Sequence, residues 1–324
     1  MPPIPLAKVI RSGLEESVHA GDVVVVDSGG SIVAFAGDAD RQVFARSCMK
    51  PLQATVSLSL APFDFTDREI AVMSASHNAE PVHIEAVRSL LKRAGVVEES
   101  LLCPATRPWD DETLGANPDR RRINSDCSGK HGGMLAACLA QGWPLESYRD
   151  HKHPLQREVL AAVIAASGDE DVEVGVDGCG VPVHGMSLRA MATIYARLAR
   201  PDALGQLRPH ARRVVEAMRA EPYMVAGRNR PDTAVIRETS SVIAKGGAEG
   251  LMCAAVLDQG WGVAVKVRDG AFRATGPALI QVLRSAGLID EDNLARLAPF
   301  AWPPVLGGGE PVGEITAGFE LTWA

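Results

Sequence analysis

The alternation of apolar and polar residues along this chain of 324 residues predicts strands at both ends and helices between them. Near the N-terminus, residues 22–27 and 31–36 form two apolar runs that are rich in β-branched side chains, and Ser28-Gly29-Gly30 separates them. Two such runs joined by a glycine-containing turn are typical of a β-hairpin. The N-terminal segment therefore predicts a pair of antiparallel strands.

The C-terminal segment shows the same kind of pattern. Its strand-like runs lie at 250–257, 262–267 and 271–274, with short polar or glycine-containing breaks between them. A stretch rich in proline and glycine, 302–313, predicts a loop before one last short strand over 314–322. We therefore expect an antiparallel meander in this part of the chain.

Between these ends the apolar residues recur with a period of about 3.6, which indicates helices with one buried face. The predicted helices span 81–94, 128–141, 155–166, 186–199 and 207–220. Glycine follows three of them, at Gly95, Gly142 and Gly168, where a left-handed residue often ends a helix. The middle of the chain is therefore expected to be mainly helical.

Strand-rich ends and a helical middle favour the α+β class, in which strands from both termini form one antiparallel sheet that helices flank. We expect a single domain over 1–324, with the sheet built from 1–46 and 234–324 and the helices from 47–233. Hydrophobic residues make up 46% of the chain, which is enough for a large core.

Charge and composition exclude several classes of function. The formal net charge of −7 disfavours a nucleic-acid partner, because phosphate binding needs a surplus of clustered lysine and arginine. The first residues lack the charged and apolar regions of a signal peptide, and no apolar run is long enough to span a bilayer. We expect a cytoplasmic protein without a membrane partner, whose six cysteines remain thiols.

Three short motifs follow one another in a fixed order and point to a specific chemistry. They are Ser47-x-x-Lys50, Ser76-x-Asn78 and Lys245-x-Gly247. None is specific alone, but the ordered set matches serine hydrolases in which lysine replaces histidine as the activating base. A serine hydroxyl needs such a base because it is protonated at neutral pH.

The spacing of Ser47 and Lys50 puts both side chains on one face if a helix begins near Ser47. Lysine acts as a base only when neutral, so its pKa must be lowered by burial or by a second cation. Lys245 is a candidate for that cation, and it can also form a second pair with Ser76 that passes a proton to the leaving amine. Either pair can in principle supply the attacking serine.

Five segments together resemble the L-asparaginase II family, the thermolabile rhizobial-type class. The segments are 46–53 (RSCMKPLQ), 75–78 (ASHN), 127–131 (CSGKH), 177–182 (DGCGVP) and 245–250 (KGGAEG). The resemblance extends over nearly the whole chain. It implies a fold like that of serine β-lactamases and glutaminases, a homodimer, and hydrolysis of L-asparagine to L-aspartate and ammonia. It also implies two catalytic pairs, Ser47 with Lys50 and Ser76 with Lys245, with Ser47 as the expected nucleophile.

A zinc site is the second expectation. By spacing alone Cys127 would pair with His131, four residues later, because histidine is a usual partner of cysteine in zinc sites. The resemblance instead implies Cys127, Lys130 and Cys179 as ligands, with water completing the shell and the metal assisting substrate binding. Lysine is an unusual ligand because it must first lose its proton.

Substrate contacts are expected from residues next to these motifs. Arg46 suits the α-carboxylate of an amino acid, although a surface salt bridge is an equal alternative. Asn78, His131 and Asp177 are the other candidates, the last two as residues that orient ligands or substrate. The chain has Asp126 where family members commonly have asparagine, and the added charge bears on the metal site and on the preference for asparagine over glutamine.

Other functions remain open at this stage. A penicillin-recognising serine hydrolase or a glutaminase would use the same Ser-Lys chemistry. A protein that binds zinc or an amino acid without turnover would retain the fold but not the reaction.

Overall fold

The computed structural model describes residues 2–324 and confirms the α+β class. Within this range the strands are β1 Ile4–Arg11, β2 Leu14–Val26, β3 Ile32–Ala36, β4 Gln42–Phe44, β5 Glu173–Val176, β6 Pro182–Ser187, β7 Val242–Gly247, β8 Leu251–Val256, β9 Trp261–Val267, β10 Pro304–Gly307, β11 Glu310–Ala317 and β12 Thr322–Trp323. The α-helices are α1 Lys50–Leu60, α2 Asp67–Met73, α3 Pro81–Ala94, α4 Asp111–Ala116, α5 Ser128–Gln141, α6 Pro154–Ser167, α7 Leu188–Ala199, α8 Arg208–Ala220, α9 Pro222–Val225, α10 Pro231–Glu238, α11 Thr275–Ser285 and α12 Glu291–Ala301.

The chain divides into two compact units. The first combines 1–48, 186–200 and 234–324, and the second combines 49–185 and 201–233. These boundaries lie close to those expected for the strand-rich ends and the helical middle. That the whole chain forms one domain stays a prediction.

The first unit contains a large antiparallel sheet. Its main path runs β10-β11-β1-β2-β9-β8-β7, and β3 extends it from β2. Strands β2 and β9 join the two ends of the chain, with Val24 opposite Ala264. The sheet from both termini is therefore confirmed, as is the N-terminal hairpin of β2 and β3.

Helices α7 and α11 pack against the central strands of this sheet. Strands β7 and β8 are buried at every position, as expected when helices cover a sheet. Gly262 on β9 permits a close approach, because a Cβ there would lie 1.8 Å from the carbonyl oxygen of Ala192 on α7. The sequence thus encodes both the buried strands and the contact with their helix.

Two predictions for the C-terminal segment were wrong. The expected strand 271–274 is a short 3₁₀ helix, Phe272–Ala274, that leads into α11. The expected loop 302–313 is instead the hairpin of β10 and β11, which turns at Gly308 and Gly309 with φ values of 61° and 93°. Such left-handed turn residues match the twist of a tight hairpin.

The second unit is mainly helical, as predicted. Helix α5 is buried along its first eleven residues and packs against α1, α2 and α3. Gly129 and Gly133 allow these contacts: a Cβ at 129 would lie 2.0 Å from the Val72 carbonyl oxygen, and one at 133 would lie 3.0 Å from the Met73 sulfur. The CSGKH segment therefore begins a helix in the middle of this unit.

The remaining predicted helices are found within two residues of their expected ends. Gly95, Gly142 and Gly168 end α3, α5 and α6 in the left-handed region, as expected. A hairpin of β5 and β6 carries the segment 177–181 at its turn. No helix among residues 2–324 is long and apolar enough to cross a membrane.

Candidate active site

Lys50, the first residue of α1, is fully buried in the second unit and reaches the segment that contains Ser76. Its Nζ donates hydrogen bonds to the Ala75 carbonyl oxygen at 2.6 Å and to Ser76 Oγ at 3.0 Å. Lys50 was expected to pair with Ser47, and its contact with Ser76 was not expected. Within the second unit, the structure brings a predicted base and a predicted catalytic hydroxyl together.

Asp126 is the counter-ion of Lys50. Its Oδ2 lies 3.2 Å from Lys50 Nζ, and the two side chains are 19% and 1% exposed. Burial, the largest effect, would by itself lower the pKa of Lys50, but Asp126 together with Cys127 and Cys179 offsets it, and the pKa is raised. Burial likewise opposes ionisation of Asp126, whose pKa the Lys50 cation nevertheless lowers. Lys50 is therefore an ammonium donor to Ser76 in this structure.

The backbone of 76–78 is fixed by two other segments. The Ser76 and Asn78 amides donate to the carbonyl oxygens of Val225 and Ala226, at 3.0 and 2.9 Å. The His77 amide donates to the Asp126 carbonyl oxygen at 3.3 Å. These bonds hold Ser76 beside Lys50.

The His77 ring has a defined role in this arrangement. Its Nδ1 accepts from the Ala79 amide at 3.1 Å, so Nε2 carries the proton and donates to Ser128 Oγ at 2.9 Å. Burial lowers the pKa of His77 well below its ordinary value, and neighbouring His83 lowers it further. A neutral His77 thus ties the 76–78 segment to the start of α5.

Asn78 organises the loop that follows α9. Its Nδ2 donates to the Arg228 carbonyl oxygen at 2.9 Å, and its Oδ1 accepts from Arg230 at 3.1 Å. Only 5% of Asn78 is exposed. The contacts of Asn78 described here are with protein groups, and a direct contact with substrate stays a prediction.

Ser47 and Lys245 both belong to the first unit. Ser47 is half-buried in a 3₁₀ helix, Arg46–Met49, and the next residue, Cys48, donates from its Sγ to the Lys245 carbonyl oxygen at 3.0 Å. Gly247 permits this packing, because a Cβ there would meet the Cys48 sulfur at 3.0 Å. The strand of Lys245 and the helix of Ser47 therefore pack directly on each other.

Lys245 is fully buried, and its Nζ donates to the Gly246 carbonyl oxygen at 2.6 Å. Arg46 precedes Ser47 in a left-handed conformation, with φ at 44°, and its NH1 lies 4.0 Å from Glu249 Oε1. An ion pair at that separation between partly exposed groups is weak. The pairing of Ser47 with Lys50, and of Ser76 with Lys245, stays a prediction.

The three expected zinc ligands lie together in the second unit. Lys130 Nζ donates to Cys179 Sγ at 3.0 Å, and all three side chains are buried. A hydrogen bond from Cys127 lowers the pKa of Cys179 despite burial, and the same bond raises the pKa of Cys127. The cluster is thus a thiolate held by a thiol and an ammonium.

By donor type this cluster fits zinc, because it supplies two sulfurs and a nitrogen. The Lys130 amine must first lose a proton, and Cys179 raises the pKa of Lys130 in spite of burial. No group of three or more His, Cys, Asp or Glu residues within 2–324 is arranged to hold a metal ion. A site here would therefore depend on the lysine.

His131 and Asp177 flank the cluster as predicted. His131 is buried and its Nδ1 lies 2.5 Å from Tyr148 Oη, whose oxygen also accepts from the Leu102 amide. Burial lowers the pKa of His131, a shift that the adjacent Cys179 opposes. Cys179 Sγ lies 3.6 Å from Asp177 Oδ2 at the β5–β6 turn. His131 can orient Cys179 through a hydrogen bond, whereas Asp177 contributes a negative charge beside the cluster.

An ionic network that no sequence motif indicated lies beside Asn78. Glu80 is 2% exposed and accepts from Tyr223 Oη and from the Arg228 backbone and side chain. Gly227 is required there, because its φ is 111° and a Cβ would lie 2.3 Å from Glu80 Oε1. The partners are about 150 residues apart, so no local pattern links them.

Comparison with known proteins gives one match to a family. The sequence model of the family described as L-asparaginase II matches residues 7–317. The search of curated proteins found no match.

The solved structures offer remote similarities. A β-lactamase from Mycobacterium bovis is 16% identical, with 89% of this chain and 97% of that chain covered and a TM-score of 0.46. A Bacillus glutaminase is 12% identical, with 83% and 91% covered and a TM-score of 0.45. These values are too low to bear on activity, and the family match stands without them.

Proposed function

Because the chain belongs to the L-asparaginase II family, we propose that it is an L-asparagine amidohydrolase that releases L-aspartate and ammonia. The observation that carries this proposal is the family match over 7–317, a range that contains Ser47, Lys50, Ser76 and Lys245. The hydrogen bond between Lys50 and Ser76 supports it, since proton transfer requires such contact.

In the proposed reaction, Ser47 Oγ attacks the side-chain amide carbon of L-asparagine and Lys50 accepts the hydroxyl proton. The tetrahedral intermediate breaks its carbon–nitrogen bond, and ammonia leaves with a proton passed through Ser76 and Lys245. Water then attacks the Ser47 ester and gives a proton to the Ser76–Lys245 relay, which lost one to ammonia. Lys50 returns the first proton to Ser47 Oγ as L-aspartate leaves. Each bond that forms or breaks thus has an assigned proton donor or acceptor.

The state of Lys50 sets a requirement for this mechanism. The Asp126 carboxylate holds Lys50 as an ammonium, and an ammonium cannot accept a proton. Lys50 must therefore lose a proton before it acts as a base. The Asp126 carboxylate, 3.2 Å away, can accept that proton, whereas the neutral Ser76 hydroxyl is too weak a base to do so.

We also propose that Cys127, Lys130 and Cys179 are ligands of a zinc ion. A bound zinc ion would supply a positive charge that assists substrate binding. The chain's own residues keep the site compact: Lys130 contacts Cys179, and Tyr148 positions His131 beside it. Metal analysis of the purified protein, before and after treatment with a chelator, tests this proposal.

Ammonia release from L-asparagine by the wild type and by Ser47→Ala, Lys50→Ala and Ser76→Ala variants tests the reaction. We expect each variant to lose at least about 100-fold in kcat, the lower end of the effect of removing a positioned acid or base. Ser59→Ala is the matched control, because Ser59 lies on α1 and its hydroxyl bonds only the Val56 carbonyl oxygen. Full activity of Ser47→Ala would exclude Ser47 as the nucleophile.

Three measurements distinguish the alternatives. Turnover of L-glutamine in preference to L-asparagine would indicate a glutaminase, and covalent modification of Ser47 by a β-lactam would indicate a penicillin-recognising hydrolase. Thermal stabilisation by L-asparagine without ammonia release would indicate a binding protein. The homodimer implied by the family resemblance is tested by light scattering of the eluted protein.

A further inference from the structure

The loop 226–230 is fixed against the Ser76 segment by contacts within the second unit. Ala226 accepts from the Asn78 amide, and Arg228 is held by Glu80 through both its backbone and its side chain. Asn229, between the two arginines, has a φ of 57°, which is strained for a residue with a side chain. The loop therefore presents Arg228 and Arg230 in defined directions.

Arg230 points to the segment that contains Ser76. Its NH1 donates to the Ser76 carbonyl oxygen at 3.3 Å and to Asn78 Oδ1 at 3.1 Å. The Trp109 ring lies under the guanidinium, 5.7 Å from centroid to Cζ. Only 14% of the Arg230 side chain is exposed. The guanidinium is thus held in one place beside a predicted catalytic residue.

Carboxylates hold the two other cations described around the 76–78 segment. Lys50 has Asp126 at 3.2 Å, and Arg228 contacts the carboxylates of Glu80, Asp110 and Glu112. Arg230 NH1 contacts Ser76 itself, and the buried Asp232 carboxylate lies 4.0 Å from its NH2. Arg230 is therefore the guanidinium that bonds the Ser76 backbone directly.

Resting on the proposed function, we propose that Arg230 binds the α-carboxylate of the amino-acid substrate and that Asn78 is the residue that positions it. In L-asparagine only two carbon atoms separate the α-carboxyl carbon from the amide carbon. A carboxylate receptor must therefore lie close to the catalytic groups, as Arg230 does to Ser76. A guanidinium suits this role because its planar donors match a carboxylate.

Arg46 was the expected carboxylate receptor. It lies in the first unit with Glu249 as its neighbour, and 26% of its side chain is exposed. An amide, a backbone carbonyl and an aromatic ring fix the position of Arg230. Fixed donors lose less conformational entropy when they bind a ligand, which favours affinity.

The test compares L-asparagine with 3-aminopropanamide, which is the same molecule without the α-carboxylate. The measured quantity is the ratio of kcat/KM for the two substrates. Arg230→Met should lower this ratio by about 10- to 100-fold, the range expected for losing a hydrogen bond to a charged group. Arg230→Lys keeps the charge and should restore part of the preference. Arg88→Met is the matched control, because Arg88 is an exposed arginine of the same unit that pairs with Glu98; it should leave the ratio within about twofold of the wild type.

Binding of L-aspartate, followed by thermal shift, makes the test independent of turnover. L-Aspartate should stabilise the wild type more than Arg230→Met, whereas 3-aminopropanoate should not distinguish them. Equal stabilisation of both proteins, no stabilisation of the wild type, or an equal loss on both amide substrates in Arg230→Met would overturn the assignment. An absence of ammonia release by a wild type that still binds L-aspartate through Arg230 would count against the proposed function alone.

Discussion

Replacing Asp126 with asparagine removes the charge that faces Lys50 and keeps the shape of the side chain. At 3.2 Å and an effective dielectric constant of about 20, the lost attraction amounts to about 5 kcal/mol. Part of it is recovered, because asparagine carries no desolvation penalty of its own and can still accept a hydrogen bond from Lys50. We therefore expect Asp126→Asn to lower the free energy of unfolding by about 2 kcal/mol at neutral pH.

The sign of the pH dependence follows from the shift of Asp126. Its pKa is lower in the folded protein than the ordinary value of 3.8, so its ionisation stabilises the fold above that value. This contribution disappears as the pH falls through the folded pKa. The wild type and Asp126→Asn should therefore differ fully at pH 7 and pH 5 and converge towards pH 3.

Urea unfolding at these three pH values gives the free energies, and two further variants serve as controls. Glu98→Gln removes a carboxylate from a surface ion pair and should cost less than about 1 kcal/mol. In a double-mutant cycle with Lys50→Met, the loss caused by Asp126→Asn should largely vanish. Equal stability of Asp126→Asn and the wild type at pH 7, or a difference that persists unchanged at pH 3, would refute the ion-pair argument.

Four further variants each test one position. Gly129→Ala should lower the free energy of unfolding by about 2 kcal/mol, since its Cβ would meet the Val72 carbonyl oxygen at 2.0 Å; urea unfolding measures this. Gly115→Ala on exposed α4, with no atom within 4 Å of its Cβ, should be neutral or gain up to about 1 kcal/mol. Ala79→Gly should not destabilise the protein, because φ at this residue is 63° and glycine adopts it without strain; a thermal melt decides this. Cys179→Ser should reduce the zinc content of the purified protein, measured by atomic absorption, if the cysteine is a ligand.

Much of the fold could be predicted because local rules decide it. The ends of α3 and α5 were predicted correctly, since Pro81 suits a first turn and Gly95 and Gly142 suit a left-handed end. The segment 271–274 was misassigned because a short apolar run has no clear period. Pro277, in the first turn of α11, was the overlooked indication of a helix.

The site could be predicted only in part. Motif residues such as Ser47, Lys50 and Cys127 were identified because chemistry restricts which side chains serve a given role. The hydrogen-bond partners of these residues could not be predicted. Lys50 bonds Ser76, which lies 26 positions away in the sequence, and Arg230 bonds Asn78, which lies 152 positions away. Contacts of this kind depend on how helices and loops pack, and no short-range pattern in the sequence records that packing.

Backbone strain coincides in part with the residues that have proposed roles. Arg46, Ala79 and Asn229 adopt left-handed conformations that cost roughly 1 to 2 kcal/mol for residues other than glycine. They adjoin Ser47, Asn78 and Arg230, whereas Ser12 and Glu249, which are also left-handed, lie in the turns between β1 and β2 and between β7 and β8. The Asn78 and Arg230 segments hold their strain through mutual hydrogen bonds. The strained backbone and the proposed carboxylate receptor are therefore maintained by the same contacts.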